Sequence, residues 1–136
     1  MNDAILTVLA QVSEQMGFLT PTGPADQAPT FGPVVQVAFH GPAEGVVVVA
    51  ASQTLAEALA RNLLTIDADA AVPAEDCTDA LRELANIAAG NLLPILHGDG
   101  EYRLDPPEIS SWPSLTTDAA HLECVEGTLS ACCALR

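Results

Sequence analysis

The segment Val46-Val47-Val48-Val49-Ala50-Ala51 contains no polar side chain. Its run of β-branched residues favours extended backbone over helix. Successive side chains on a strand point to opposite faces, so a strand of this composition has to be covered on both. That requirement places it in the middle of a sheet. Its neighbour is Val34 to His40, rich in β-branched and aromatic residues, and Gly41-Pro42-Ala43-Glu44 joins the two. The pattern predicts a β-hairpin.

Three helices and a second hairpin surround this pair. Ile5, Leu9, Val12 and Met16 recur at helical spacing within residues 3–17, and Gly17 is the stop. Residues 20–33 carry Pro21, Pro24, Pro29 and Pro33 and read as a long loop. A second helix is predicted over 54–65, capped by Ser52, with Leu55, Leu59 and Leu63 as its buried stripe. Pro73 opens a third, with Glu75 and Asp76 near its start, where the helix dipole favours acids. It is expected to end near Leu93, because Pro94 disfavours continuation. A short strand, 101–104, leads into Pro106-Pro107. Residues 119–125 and 128–135 form a closing hairpin about Glu126-Gly127. The predicted order is α-β-β-α-α-β-β-β. This is an α+β fold, a single unit over 1–136, with helices packed on a largely antiparallel β-sheet.

Charge narrows the function. Eighteen acids face four bases, all arginines, for a net charge of −14. Such a chain is repelled by phosphate backbones and anionic bilayers, so nucleic acid and membrane are not expected partners. No apolar run approaches the roughly 18–20 residues that span a bilayer, and Asn2 and Asp3 stand where a secretory leader carries cations. A cytoplasmic location is expected. Cys77, Cys124, Cys132 and Cys133 show no metal-ligand spacing, so no metal site is predicted and reduced thiols are expected. On a strand, Cys132 and Cys133 would point to opposite faces.

The third helix carries the chemistry. At about 100° per residue, Leu81, Leu84, Ala85, Ala88 and Leu92 gather on one face as the core stripe. Asp79, Glu83, Asn86 and Gly90 share a narrow stripe on the opposite side. A solvated face would account for the acid and the amide. It does not account for a mid-helix glycine, which costs about 1 kcal/mol relative to alanine. An acid and an amide one turn apart beside a bare glycine point to a docking site for something polar.

The run Asp79-Ala80-Leu81-Arg82-Glu83-Leu84-Ala85-Asn86-Ile87-Ala88-Ala89-Gly90-Asn91 resembles the motif helix of the CheC/CheX/FliY family of chemotaxis phosphatases. The family pattern is Asp or Ser, Glu four later, Asn three after that, and a proline downstream. The slots here are Asp79, Glu83 and Asn86, with Pro106 or, preferentially, Pro107 as the motif proline, slightly closer than usual. The first helix offers Asp3, Thr7 and Ala10 at the same spacing, so there is no second copy. The chain is most similar to the single-site, CheX-like members.

The resemblance implies hydrolysis of the aspartyl phosphate of a CheY-like response-regulator receiver domain, in chemotaxis or two-component signalling. It assigns Asn86 to position the attacking water and Glu83 to pair with the receiver's lysine. Asp79, Arg82 and Gly90 would form the docking rim. It implies no cofactor of the chain's own, with magnesium on the partner receiver. It also implies a homodimer, for which the apolar strands from residue 119 onward would supply edges needing cover. The alternative is a CheX-like module that binds receivers or pairs with itself without catalysis. His40, His97 and His121 read as structural or solvated, and Ser110, Ser111 and His121 lack the Gly-x-Ser-x-Gly elbow of a hydrolase. Asp99 between glycines reads as a turn rather than a calcium loop.

Overall fold

The computed structural model describes residues 2–114 and 118–136. Its elements are α1 (Asn2–Gln15), β1 (Pro21–Pro24), β2 (Val34–His40), β3 (Gly45–Ala51), α2 (Gln53–Leu64), α3 (Ala74–His97), β4 (Arg103–Leu104), β5 (Glu108–Ile109), β6 (Ala119–Cys124) and β7 (Gly127–Leu135). The strands form one antiparallel sheet in the order β1-β6-β7-β3-β2-β4, and β5 also pairs with β2.

The valine strand sits where its composition demands. β3 lies between β7 and β2, with Val47 opposite Cys133 on one side and Val37 on the other. Val47, Val49 and Ala51 belong to the core under the helices, while Val48 and Ala50 are buried on the second face. That face is closed in part by the loop after β5. There, Trp112 packs on His121 with ring centroids 6.0 Å apart, and Ser110 Oγ donates to Gln36 Oε1 at 3.0 Å. Cys133 joins the helix-side core and Cys132 the other face, as alternation requires.

The helices cover one face of the sheet. α1 contributes Ile5, Leu9 and Val12, α2 Leu55 and Leu59, and α3 Leu81, Leu84, Ala85, Ala88, Leu92 and Leu93. Each fully buried leucine is worth about 1.5–3 kcal/mol over leaving it in water. Ser52 caps α2, its Oγ accepting from the Leu55 amide at 3.4 Å.

Four expectations change. Residues 21–24 are not loop but strand β1, on the outer edge of β6. Prolines lack the amide donor and are tolerated at an edge, where one side of the ladder is unpaired. β5 is a further two-residue strand, so the order becomes α-β-β-β-α-α-β-β-β-β. The closing strands are less open than expected: among the described residues β7 is enclosed by β3 and β6, and β6 carries β1 along residues 122–124. Finally, α3 does not stop at Leu93 but runs through Pro94 to His97. The packing beyond the proline explains this. His97 stacks on Phe39 with centroids 6.0 Å apart, and its Nε2 lies 3.5 Å from Cys133 Sγ. Tertiary contacts of this kind outweigh local propensity.

Candidate functional site

The sequence stripe becomes an exposed ridge along α3. The core side of the helix (Cys77, Ala80, Leu81, Leu84, Ala85, Ala88, Ala89, Leu92, Leu93) is buried against the sheet and its sister helices. Asp79, Glu83, Asn86 and Gly90 all lie on the water side. At 1.5 Å per residue, Asp79 and Gly90 are about 16 Å apart along the axis. Ile87 and Ile95 extend the ridge as apolar neighbours, 38% and 60% exposed.

The charges on the ridge are not equivalent. Arg82 Nη1 donates to Asp79 Oδ1 at 2.9 Å, one turn apart on the helix. A pair this exposed contributes only about 0.2–1 kcal/mol, but it occupies both groups with each other. Glu83 makes no ion pair among the described residues. It is the open anion of the ridge, one turn before an amide that makes no side-chain hydrogen bond within the chain's described residues. An amide both donates and accepts, and near neutral pH it is not a base. Asn86 can therefore orient a water but cannot deprotonate it.

Gly90 has no reason internal to the fold. A Cβ built on it would meet nothing within 4 Å. Gly90→Ala is accordingly expected to raise stability by about 0.5–1 kcal/mol, read from the urea midpoint at unchanged m-value. A drop in the midpoint would instead give the glycine a structural duty.

Pro107 is not on the ridge. It lies half-buried between β4 and β5, where the chain bulges from the edge of β2, the strand on which α3 also packs. The structure thus gathers Asp79, Arg82, Glu83, Asn86 and Gly90 on one helix and sets the motif proline on the neighbouring sheet edge.

The other reactive side chains are engaged elsewhere. The thiols of Cys124, Cys132 and Cys133 are pushed up to about 11 by burial, so none is a ready nucleophile. His121 Nδ1 shares a 2.6 Å hydrogen bond with Ser130 Oγ, and Ser130 is fully buried, beyond the reach of a substrate. Ser110 bonds Gln36 instead of any histidine. One grouping was not legible in the sequence. His40 lies 3.0 Å from Asp105 Oδ2 and 3.7 Å from Glu44 Oε1. Its hydrogen bond holds the Asp105 carboxyl below its usual range. It ties the β2–β3 turn to the chain after β4, far from the ridge in sequence and on the sheet's opposite face. Among the described residues, no group of three or more His, Cys, Asp or Glu side chains could hold a metal ion, and no helix is long and apolar enough to cross a membrane.

The family model for "Chemotaxis phosphatase CheX" matches residues 33–126, from the start of β2 to the β6–β7 turn, with α3 near its centre. The chain belongs to the CheX family. Solved structures repeat the CheX fold over nearly the whole chain. A chemotaxis protein CheX from Desulfovibrio desulfuricans is 18% identical, with 98% of this chain and 97% of that one covered and a TM-score of 0.71. The CheX in a CheX–CheY–BeF3–Mg complex from Borrelia burgdorferi is 20% identical, with 98% and 96% covered and a TM-score of 0.70. FliY from Thermotoga maritima is more distant, at 16% identity, 94% and 82% coverage and a TM-score of 0.55. No curated protein sequence matches this CheX-family chain.

Proposed function

We propose that this chain dephosphorylates a CheY-like receiver domain by laying the α3 ridge across the receiver's phosphorylation site. The observation that carries the reading is the exposure of Glu83 and Asn86 on one face of α3, beside a glycine the fold does not require. Membership of a chemotaxis phosphatase family supports it, as does a complex of CheX with CheY in a protein of the same fold.

In this mechanism the receiver supplies the electrophile and the magnesium ion, and this chain supplies a positioned water. Asn86 holds the water in line with the phosphorus through one donated and one accepted hydrogen bond, as a glutamine does in some GTPases. Glu83 meets the receiver's lysine and fixes the register of docking. The Asp79–Arg82 pair forms the rim, and Pro107 supports the site from the sheet edge. The acidic start of α3, with Glu75, Asp76, Asp79 and Glu83 against Arg82 alone, favours a cationic partner surface.

The test is to incubate the protein with phosphorylated receivers from the same cell and follow phosphate loss. Shortened phosphate lifetime on at least one receiver is the expected result. Stable binding without shortening would favour the non-catalytic module, the reading that the altered proline spacing leaves standing. Glu83→Ala is expected to weaken binding of the responsive receiver roughly tenfold, about 1.4 kcal/mol. It should also flatten the salt dependence, because a charge pair across the interface has gone. Affinity measured at low and high salt checks both, and an unchanged salt slope would remove Glu83 from the interface.

A further inference from the structure

Gly90 and Pro94 are one helical turn apart on the exposed side of α3, and the helix continues past both to His97. They are the two poorest helix formers. Neither is a terminator here, and the space around Gly90 is open. Their combination has a definite chemical result. In an α-helix the carbonyl of residue 90 accepts from the amide of residue 94. Proline has no amide hydrogen, so the Gly90 carbonyl has no helical donor. Gly90 also has no side chain to screen its backbone. The ridge therefore presents a backbone acceptor that lacks its α-helical donor, one turn beyond Asn86 and flanked by exposed Ile87 and Ile95.

We infer that the Gly90 carbonyl is a docking acceptor, taking a hydrogen bond from an N–H or O–H on the receiver face that meets α3. The inference rests on the proposed receiver-phosphatase reading and extends it. Glu83 selects a cation at one end of the ridge, and Gly90 selects a neutral donor at the other, with Asn86 between them. Two fixed points on either side of the amide would set both the position and the rotation of α3 on its partner. Pro94 is then a positioning residue that acts through the carbonyl it leaves free. A buried acceptor left without a donor is costly, so a partner lacking the donor would be rejected.

The test compares Pro94→Ala and Pro94→Val with the unmutated chain, using the phosphorylated receiver whose lifetime the unmutated chain shortens most. Both substitutions restore the amide, which closes the helical bond on Gly90. Alanine removes the ring, and valine keeps apolar bulk in its place. Both variants are expected to raise KM for the receiver roughly fivefold to tenfold, the worth of about one hydrogen bond. Both should leave kcat within about twofold, because Asn86 is untouched, and thermal denaturation should show both folded, with alanine more stable than proline. If valine retains the original KM while alanine does not, the ring is the contact and the inference is overturned. It is equally overturned if both variants keep the original KM. If the unmutated chain shortens the lifetime of no receiver, the phosphatase reading itself fails and takes this inference with it. That result is distinguishable because it appears before any variant is made.

Discussion

Asn86→Ala is expected to lower the catalysed rate of receiver dephosphorylation by a factor of roughly 10² to 10³ relative to the unmutated chain, so that the phosphate lifetime returns towards the receiver's own. The loss corresponds to about 3–4 kcal/mol of transition-state stabilisation, the usual worth of one preorganised hydrogen-bonding group at a reacting centre. Asn86 is exposed and makes no side-chain hydrogen bond within the described chain, so its removal breaks nothing internal. Alanine is the better helix former, so α3 should be at least as stable. The substitution therefore acts on the rate at saturating receiver while affinity stays close to that of the unmutated chain. Glu83→Ala should divide the other way, with affinity lost and rate at saturation largely kept. If the Asn86 variant shortens the phosphate lifetime as well as the unmutated protein does, the positioned-water mechanism is wrong.

Much of this was readable in the sequence because the relevant signals are strong and local. The valine run could only be a central strand, and β3 is one. The stripe of leucines and alanines on α3 could only face a core, which left Glu83 and Asn86 in water without further argument. Helix and strand periodicity fix faces, and faces are what position this site. The misreadings have a common cause. Pro21, Pro24 and Pro94 each lack an amide hydrogen, which locally argues against strand and helix alike. In the fold, β1 lies at an edge where the missing donors cost little, and α3 is held beyond Pro94 by contacts with residues distant in sequence. No local pattern announces a two-residue strand such as β5, nor that His40 meets Asp105 across 65 positions. The Gly90–Pro94 pair was visible at helical spacing, but its meaning depended on knowing that the helix does not end between them.

The same dependence on long-range packing gives Phe39→Ala the largest expected effect on stability. Phe39 is fully buried on the helix-facing side of β2, with Leu104 of β4 opposite it on one side and Gly45 of β3 on the other. Its ring stacks on His97, the last residue of α3, at 22° between planes, and meets Tyr102 edge-on at 6.3 Å. Gly45 makes room for it, since a Cβ there would lie 2.9 Å from Phe39 Cζ and collide with the Ala134 carbonyl. The ring thus fills a space framed by three strands and pins the end of the site helix. Truncation loses the transfer free energy of the ring and leaves a cavity that the sheet cannot close, about 3–5 kcal/mol in all. Against a typical total of about 5–15 kcal/mol this is a large fraction. The expected signature is a fall in Tm on the order of 10–15 °C, with a lower urea midpoint at unchanged m-value. Asn86→Ala, by contrast, should not lower Tm. The last turn of α3, from Pro94 to His97, should lose amide protection first, because the helix there lacks one of its own hydrogen bonds and depends on this contact. A cost below about 1 kcal/mol would mean that some other contact holds the C-terminal end of the ridge.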